Sequence, residues 1–185
     1  MPGARTLIGS AVVPIRFVFL MWLFFAIDFL YGYDLTFLGI VPRTVFGAIG
    51  VITAPLVHAD PFHVISNTVP LLFLGIVLFY YYHRIANGIF LKCYFLTNIL
   101  VWLFARPYVH LGASGLIYAL ASFLIFFGFF RRDFRSLFIS VVVMLLYGSI
   151  FYGILPLNDQ ISWESHLAGG IVGALVAVRY RRRVT

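Results

Sequence analysis

Six apolar runs recur along this sequence, and each is about as long as a helix that crosses a lipid bilayer. A span needs roughly 20 residues to cover the ~30 Å hydrocarbon layer. An open sheet cannot satisfy its backbone hydrogen bonds in lipid, so we expect all six runs to be helices. The runs are Ala11–Leu30, Phe62–Tyr82, Gly88–Phe104, Ser114–Phe130, Ser136–Leu155 and Trp163–Val178.

The composition agrees with a polytopic membrane protein. Hydrophobic residues make up 63% of the chain and charged residues 10%, against about 45–50% and about 25% in soluble domains. Such a composition excludes a soluble fold and a disordered chain. The 185 residues predict one transmembrane domain over positions 1–185. The single cysteine, Cys93, lies in an apolar run and is expected to be a packing residue.

Basic residues are distributed unevenly between the two ends of the predicted spans. With the N-terminus in the cytoplasm, all of the 13 Lys and Arg residues except Arg43 and Arg106 fall on the cytoplasmic side. The positive-inside rule therefore predicts cytoplasmic N- and C-termini for an integral, multi-pass protein. Most acidic residues fall on the outer side, namely Asp34, Asp60, Asp159 and Glu164.

The connection between the first two spans, Tyr31–Pro61, is unusually long and apolar. Helix bundles mostly use connections of about 2–8 residues. Within it, Thr44–Val57 is amphipathic and is flanked by Pro42 and Pro55. We expect this outer loop to lie in the membrane interface or to pack on the bundle. A plain linker is the alternative.

Polar residues occur inside three of the spans, where they are costly and often functional. His63 and Asn67 are one helical turn apart in the second span and share a face. His58 precedes them at the membrane surface. Taken alone, such a pair also fits interhelical hydrogen bonding without catalysis.

The fourth span begins at Ser114 and is short for a membrane crossing. From Ser114 to Phe130 it covers about 25 Å at 1.5 Å per residue, so the preceding loop, Ala105–Ala113, is expected to dip into the membrane beside protein or water. The alternative is a serine that simply caps a short helix.

The sixth span places a histidine and two glycines near its outer end. His166 lies about one turn in, followed by Gly169 and Gly173, a spacing that lets another helix approach closely. Gly115 and Ala119 form a matching small pair in the fourth span. Their contact would bring Ser114 beside His166. A serine, a histidine and further donors at one depth are the parts of a nucleophilic acyl-transfer site.

These motifs resemble those of the rhomboid intramembrane serine proteases, in their compact six-span bacterial form. The resemblance covers the chain from about Gly39 to Ala177. It rests on His58-x4-His63-x3-Asn67, on Gly112-Ala113-Ser114-Gly115 with Tyr118 one turn later, and on His166-x2-Gly169-x3-Gly173. The first outer loop of the family often carries a Trp-Arg pair, and here that region reads Ala48-Ile49-Gly50-Val51.

The resemblance implies a catalytic dyad in which Ser114 is the nucleophile and His166 the general base. His63 and Asn67, with the Ser114 backbone N–H, would bind the oxyanion. Tyr118 would pack against the catalytic imidazole, although an aromatic core residue is an equal alternative. Glu164 is expected to point away from His166. The resemblance assigns supporting roles to His58, Gly112, Gly115, Gly169 and Gly173.

The resemblance also implies a protein of a bacterial cytoplasmic membrane. The predicted function is hydrolysis of transmembrane segments of other membrane proteins, with water reaching the site from the outer face. The expected partners are single-span or other transmembrane substrates and membrane lipid, with no nucleic acid, metal or cofactor. The main alternative is a non-catalytic rhomboid-like protein that binds and sorts membrane helices. A small transporter is less consistent with the apolar inner halves of the spans.

Overall fold

The computed structural model describes residues 6–156 and 162–181, and these residues form an all-helical bundle. Within them the structure contains no strand, and one isolated backbone bridge joins Ile40 to His110. The α-helices are α1 (Leu7–Tyr31), α2 (Gly50–Thr53), α3 (Pro61–Tyr81), α4 (His83–Phe104), α5 (Ser114–Arg131), α6 (Phe134–Tyr147) and α7 (Trp163–Tyr180). Short 3-10 helices cover Leu35–Leu38, Phe46–Ala48, Ala54–Leu56 and Gly148–Ile154.

Four helices, α1, α3, α4 and α5, are long and apolar enough to cross a membrane, judged by length and composition. The other two helices in predicted spans do not reach that standard. α6 has 14 residues, and α7 has 18 residues that include Glu164, His166 and Arg179. Their membrane-spanning role stays a prediction.

For two spans, the predicted first residue lies several residues after the observed start of the helix. α1 begins at Leu7 and not at Ala11, because the Thr6 side chain caps it by accepting a hydrogen bond from the Gly9 N–H at 3.2 Å. α4 begins at His83 and not at Gly88, so that Tyr82 alone separates it from α3. The predicted starts are late because polar residues at the beginning of these helices resemble loop residues in the sequence.

The fifth predicted span, Ser136–Leu155, is wrong as a single helix. Its α-helical part begins at Phe134, because the Asp133 side chain caps it by accepting from the Ser136 N–H at 3.0 Å. The α-helix ends at Tyr147, and the chain continues as the 3-10 helix Gly148–Ile154. The glycine at position 148 marks the change, since glycine weakens an α-helix.

α5 lies at the centre of the bundle, and 13 of its 18 residues are buried. It packs most closely against α7 and α6, and also contacts α3 and α4. Two serine hydroxyls strengthen these contacts across helices. Ser122 Oγ donates to the Gly170 carbonyl and Ser140 Oγ donates to the Ile125 carbonyl, each at 2.7 Å.

The long connection between α1 and α3 is held against α4 by hydrogen bonds. Arg43 Nη1 donates to the carbonyls of Leu103 at 3.2 Å and Ala105 at 2.8 Å, at the end of α4. In return, Trp102 Nε1 donates to the Thr44 carbonyl at 2.9 Å. This chain therefore anchors its loop with an arginine from the loop and a tryptophan from α4.

Two more α4 side chains and one α1 carboxylate hold the same connection. Asn98 Nδ2 donates to the Val51 carbonyl at 3.1 Å, and the Tyr94 hydroxyl donates to the Ile52 carbonyl. At the start of the connection, Asp28 Oδ1 accepts from the Leu35 N–H at 3.1 Å.

Four of the residues whose charges predict the membrane orientation lie outside the described residues: Arg5, Asp159, Arg182 and Arg183.

Candidate active site

Ser114 is the first residue of α5, and its hydroxyl does not cap the helix. The N-cap is Ala113, whose side chain makes no capping hydrogen bond. The alternative of a capping serine is therefore wrong. Just before it, Gly112 has a φ of +98°, in the left-handed region that favours glycine. This turn directs the chain into α5 with Ser114 as its first residue.

His166 is hydrogen-bonded at both ring nitrogens. Its Nε2 lies 2.9 Å from Ser114 Oγ, and its Nδ1 lies 2.9 Å from the Gly153 carbonyl oxygen. A carbonyl oxygen only accepts, so Nδ1 carries the proton. Nε2 is then free to accept from the Ser114 hydroxyl. This is the tautomer that a general base toward serine requires.

Tyr118 holds the imidazole from one side. Its ring lies 4.0 Å from the His166 ring, centroid to centroid, and the two planes differ by 5°. Ser114 and Tyr118 are one turn apart on α5, so the same helix face carries the serine and the aromatic support. The stack restrains rotation of the His166 ring away from Ser114.

Glycines allow α5 and α7 to approach closely enough for this contact. A Cβ added at Gly169 would overlap the Gly115 carbonyl oxygen, and one added at Gly173 would overlap the Ala119 carbonyl oxygen. Gly115 in turn faces the neighbouring helices, since its added Cβ would lie 3.1 Å from Thr97 Cγ2. The small residues of both helices thus meet as the sequence pattern predicts.

His63 and Asn67 lie on the opposite wall of the site, on α3. Asn67 Nδ2 donates to the His63 carbonyl at 2.7 Å, which orients the amide and leaves its second N–H available. The His63 ring lies against the turn before Ser114, because a Cβ at Gly112 would come 2.5 Å from His63 Nε2. Gly112 is therefore needed both for its backbone conformation and for this close packing.

His58 supports the turn before Ser114 from behind and is almost completely buried. Its Nδ1 lies 3.4 Å from the Leu56 carbonyl, and its Nε2 accepts from the Ala113 N–H at 3.4 Å. Burial, followed by the charge of the neighbouring His63, lowers the pKa of His58 to about 4. His58 therefore stays neutral near pH 7 and keeps Nε2 free to accept.

A cavity of about 710 Å³ joins these residues. Its lining includes His63, Asn67, Ser114, Tyr118 and His166. The remaining residues singled out in the sequence lie beside these: His58 and Gly112 at the turn before Ser114, and Gly115, Gly169 and Gly173 where α5 packs against its neighbours.

A hydrogen-bonded chain that the sequence analysis did not identify ties the loop before Ser114 to the start of α7. His110 Nε2 donates to the Arg106 carbonyl at 2.9 Å, and its Nδ1 lies 2.6 Å from Ser162 Oγ. Ser162 Oγ lies 2.6 Å from Ser165 Oγ, next to His166 in the chain. The loop and the histidine-bearing turn are therefore joined at the end of the bundle that holds Ser114.

An ion pair closes the same side of the cavity. Arg106 Nε lies 2.5 Å from Glu164 Oε1 and Nη2 lies 3.3 Å from Oε2. The guanidinium also lies over the ring of Trp163, 5.6 Å from its centroid. The Glu164 carboxylate is thus engaged by Arg106. One feature of the sequence indicated this pair: Arg106 is a basic residue on the predicted outer side, where acidic residues predominate.

Comparisons with known proteins give one matching family model and several relatives. The family model described as Rhomboid domain matches residues 46–183. An uncharacterized protein of Mycobacterium tuberculosis is 35% identical over 184 residues, which cover 94% of this chain and 75% of the relative. An uncharacterized protein of Mycobacterium leprae is 30% identical over 190 residues, which cover 94% of this chain and 72% of the relative.

Proposed function

This chain belongs to the rhomboid family, and from that premise we propose that it is an intramembrane serine endopeptidase that cleaves transmembrane segments of other membrane proteins. The observation that carries the proposal is the 2.9 Å separation of Ser114 Oγ and His166 Nε2. The hydrogen bond from His166 Nδ1 to Gly153 supports it, because it assigns the tautomer of a base.

The proposed reaction proceeds through an acyl-enzyme. Ser114 Oγ attacks the carbonyl carbon of the scissile peptide while its proton passes to His166 Nε2. The tetrahedral intermediate collapses, the C–N bond breaks, and His166 returns the proton to the leaving amine. Water then loses a proton to His166 and attacks the ester on Ser114; the bond from the acyl carbon to Oγ breaks, and His166 returns the proton to Ser114 Oγ. No metal or cofactor takes part in these steps.

His63 and Asn67 are proposed to stabilise the oxyanion with the Ser114 backbone N–H. Both line the cavity that contains Ser114, and each has a side-chain N–H to donate. The first N–H groups of α5 have no intrahelical partner and add a favourable helix dipole. Such donors act mainly on the charge that develops in the transition state.

We place six spans in the membrane, with both termini in the cytoplasm and the active site opening to the outer face. The 14 residues of α6 and the seven of Gly148–Ile154 together extend over about 35 Å, at roughly 1.5 and 2.0 Å per residue, which suffices for a crossing. The 18 residues of α7 extend over about 27 Å. The uneven distribution of Lys and Arg supports the orientation.

Substrate helices are proposed to reach the cavity laterally, between α3 and α6. The α3 residues Phe62, Ser66 and Pro70 line the cavity on that side. An aromatic contact between Phe73 and Tyr147, with ring centroids 5.5 Å apart, joins α3 to α6. A contact between two side chains can open without disturbing the helical backbone.

The alternative function is a non-catalytic member that binds membrane helices and aids their sorting. Such a protein needs the bundle and the lateral opening but no paired serine and histidine. The buried, doubly hydrogen-bonded His166 favours the enzyme, because binding alone gives no reason to orient an imidazole toward a hydroxyl.

The experiment is cleavage of a single-span membrane substrate by the purified protein in liposomes. Ser114→Ala and His166→Ala should each remove nearly all cleavage while the melting temperature stays near that of the wild type. Because the two residues act in one step, the double variant should be scarcely slower than either single variant. Cleavage that survives Ser114→Ala would overturn Ser114 as the nucleophile, whereas no cleavage of any tested span would favour the non-catalytic alternative.

A further inference from the structure

The backbone carbonyl of Gly153 occupies the position that a carboxylate holds in a three-residue serine protease site. It accepts the Nδ1 proton of His166 at 2.9 Å. In a Ser-His-Asp triad the third member holds the imidazole in its tautomer and orientation. The nearest acidic residue in the chain, Glu164, is paired with Arg106.

We propose that Gly153 is the positioning residue for His166, and that the 3-10 helix Gly148–Ile154 couples the outer end of α6 to the catalytic base. The inference rests on the proposed function, since it concerns the base of that same reaction. The Gly153 carbonyl would be a third contributor beside Ser114 and His166, supplied by the backbone. The 3-10 helix would also link substrate access to the orientation of the His166 ring.

Glycine is required at position 153 because the chain lies directly against the stacked rings. An added Cβ would overlap the Tyr118 hydroxyl, and it would lie 3.1 Å from His166 Nδ1. The Gly153 backbone therefore contacts both members of the His166–Tyr118 stack. A larger residue must push the segment outward and lengthen the hydrogen bond to His166.

The same segment continues directly from the helix end that contacts α3. Tyr147, the last residue of α6, touches Phe73 of α3, and the 3-10 helix Gly148–Ile154 begins at the next residue. A substrate helix that separates α6 from α3 must move Tyr147, and this movement is transmitted along a single short helix to Gly153. We infer that His166 is fully oriented only when this segment is seated against Tyr118.

The first test compares two alanine substitutions within the segment. Gly153→Ala introduces the overlap with Tyr118, whereas Gly148→Ala is the matched control, since among the described residues its Cβ would meet Met144 Cγ alone, at 3.8 Å. We expect Gly153→Ala to lower kcat about 10²-fold with little change in KM, in the range of lost general-base assistance. Gly148→Ala should keep wild-type kcat. Equal kcat losses in the two variants would overturn the inference.

The second test weakens the carbonyl and keeps the side chains unchanged. Isoleucine at position 154 is replaced by its α-hydroxy analogue, so that the Gly153 carbonyl becomes an ester carbonyl, a poorer acceptor. The control places the same ester one residue after Gly148. We expect the first ester to slow both cleavage and labelling of Ser114 by a fluorophosphonate, with an unchanged melting temperature. It should also move the His166 Nδ1–H resonance upfield in histidine-labelled protein.

The outcomes separate this inference from the proposed function. If the ester after Gly153 leaves labelling, cleavage and the Nδ1–H resonance at wild-type values while Ser114→Ala abolishes cleavage, the protein is a serine protease but Gly153 does not position its base. If Ser114→Ala itself retains cleavage, the proposed function fails first.

Discussion

At the scale of single residues, the proposal that Asn67 and His63 stabilise the oxyanion can be tested by substitution. Replacing either with alanine should lower kcat by about 10²–10³-fold, or roughly 2.7–4 kcal/mol, while KM changes much less, because the interaction forms mainly in the transition state. His63→Ala should be the more severe variant, since its ring also packs on Gly112. The measurement is kcat and melting temperature on the same samples. A lowered melting temperature with unchanged kcat in both variants would make the pair structural.

The lowered pKa of His58 predicts that the stability of the protein depends on pH. Its pKa is lowered from 6.5 to about 4, mainly by burial. Between those values the unfolded chain binds a proton that the folded chain does not, so the free energy of unfolding decreases as the pH falls. From pH 7 to pH 5 the loss from this residue should be about 2 kcal/mol.

The control for His58 is a variant that cannot titrate. His58→Gln can still accept the Ala113 N–H but carries no ionisable ring, so its stability should change less between pH 7 and pH 5 than that of the wild type. Chemical denaturation at the two pH values measures this difference. The same pH slope in both proteins would contradict the assignment.

At the scale of helices, the close packing of α5 and α7 sets the distance between Ser114 and His166. Gly169→Ala should force the two helices apart, because its Cβ overlaps the Gly115 carbonyl oxygen. We expect loss of activity together with about 1–3 kcal/mol of unfolding free energy, as for other overpacked sites.

The neighbouring glycine is the matched control for this packing prediction. Within the part of the chain that the structure describes, a Cβ at Gly170 would meet Ile154 Cδ1 alone, at 3.7 Å, so Gly170→Ala should keep both stability and activity. Thermal unfolding and cleavage assays on the two variants decide the point. A fully active Gly169→Ala would show that this glycine face does not control the approach of His166 to Ser114.

For the molecule as a whole, the positions of the two loops relative to the membrane can be tested with single cysteines. Native Cys93 is fully buried, so it can stay in place while a single reporter cysteine is introduced elsewhere. Phe37→Cys in the α1–α3 connection should react with an impermeant reagent from the outside, and Phe134→Cys at the start of α6 only from the inside. Both side chains are well exposed. Reaction from the opposite sides would reverse the proposed orientation.

Local patterns predicted part of this protein well. His63 and Asn67 share a face because helical periodicity places residues four apart together. The meeting of Ser114 and His166, 52 residues apart, required two further signals. These were the common side of the spans and the small residues that let α5 and α7 approach.

Other features left no trace in the side-chain pattern. The contact from Gly153 to His166 is made by a backbone carbonyl, which every residue possesses. The break at Gly148 divides an apolar run that reads as one helix. The anchoring of the first loop by Arg43 and Trp102 depends on how the loop folds back on α4, and sequence spacing does not determine that.

The reaction of Ser114 with a fluorophosphonate tests the central claim most directly. The account predicts a single covalent adduct, mapped by mass spectrometry to Ser114 in the folded protein. Labelling should disappear in Ser114→Ala, slow severely in His166→Ala, and persist in Ser66→Ala, which removes another hydroxyl that lines the cavity. An adduct on a different residue, or labelling of Ser114 at the same rate with and without His166, would contradict the account.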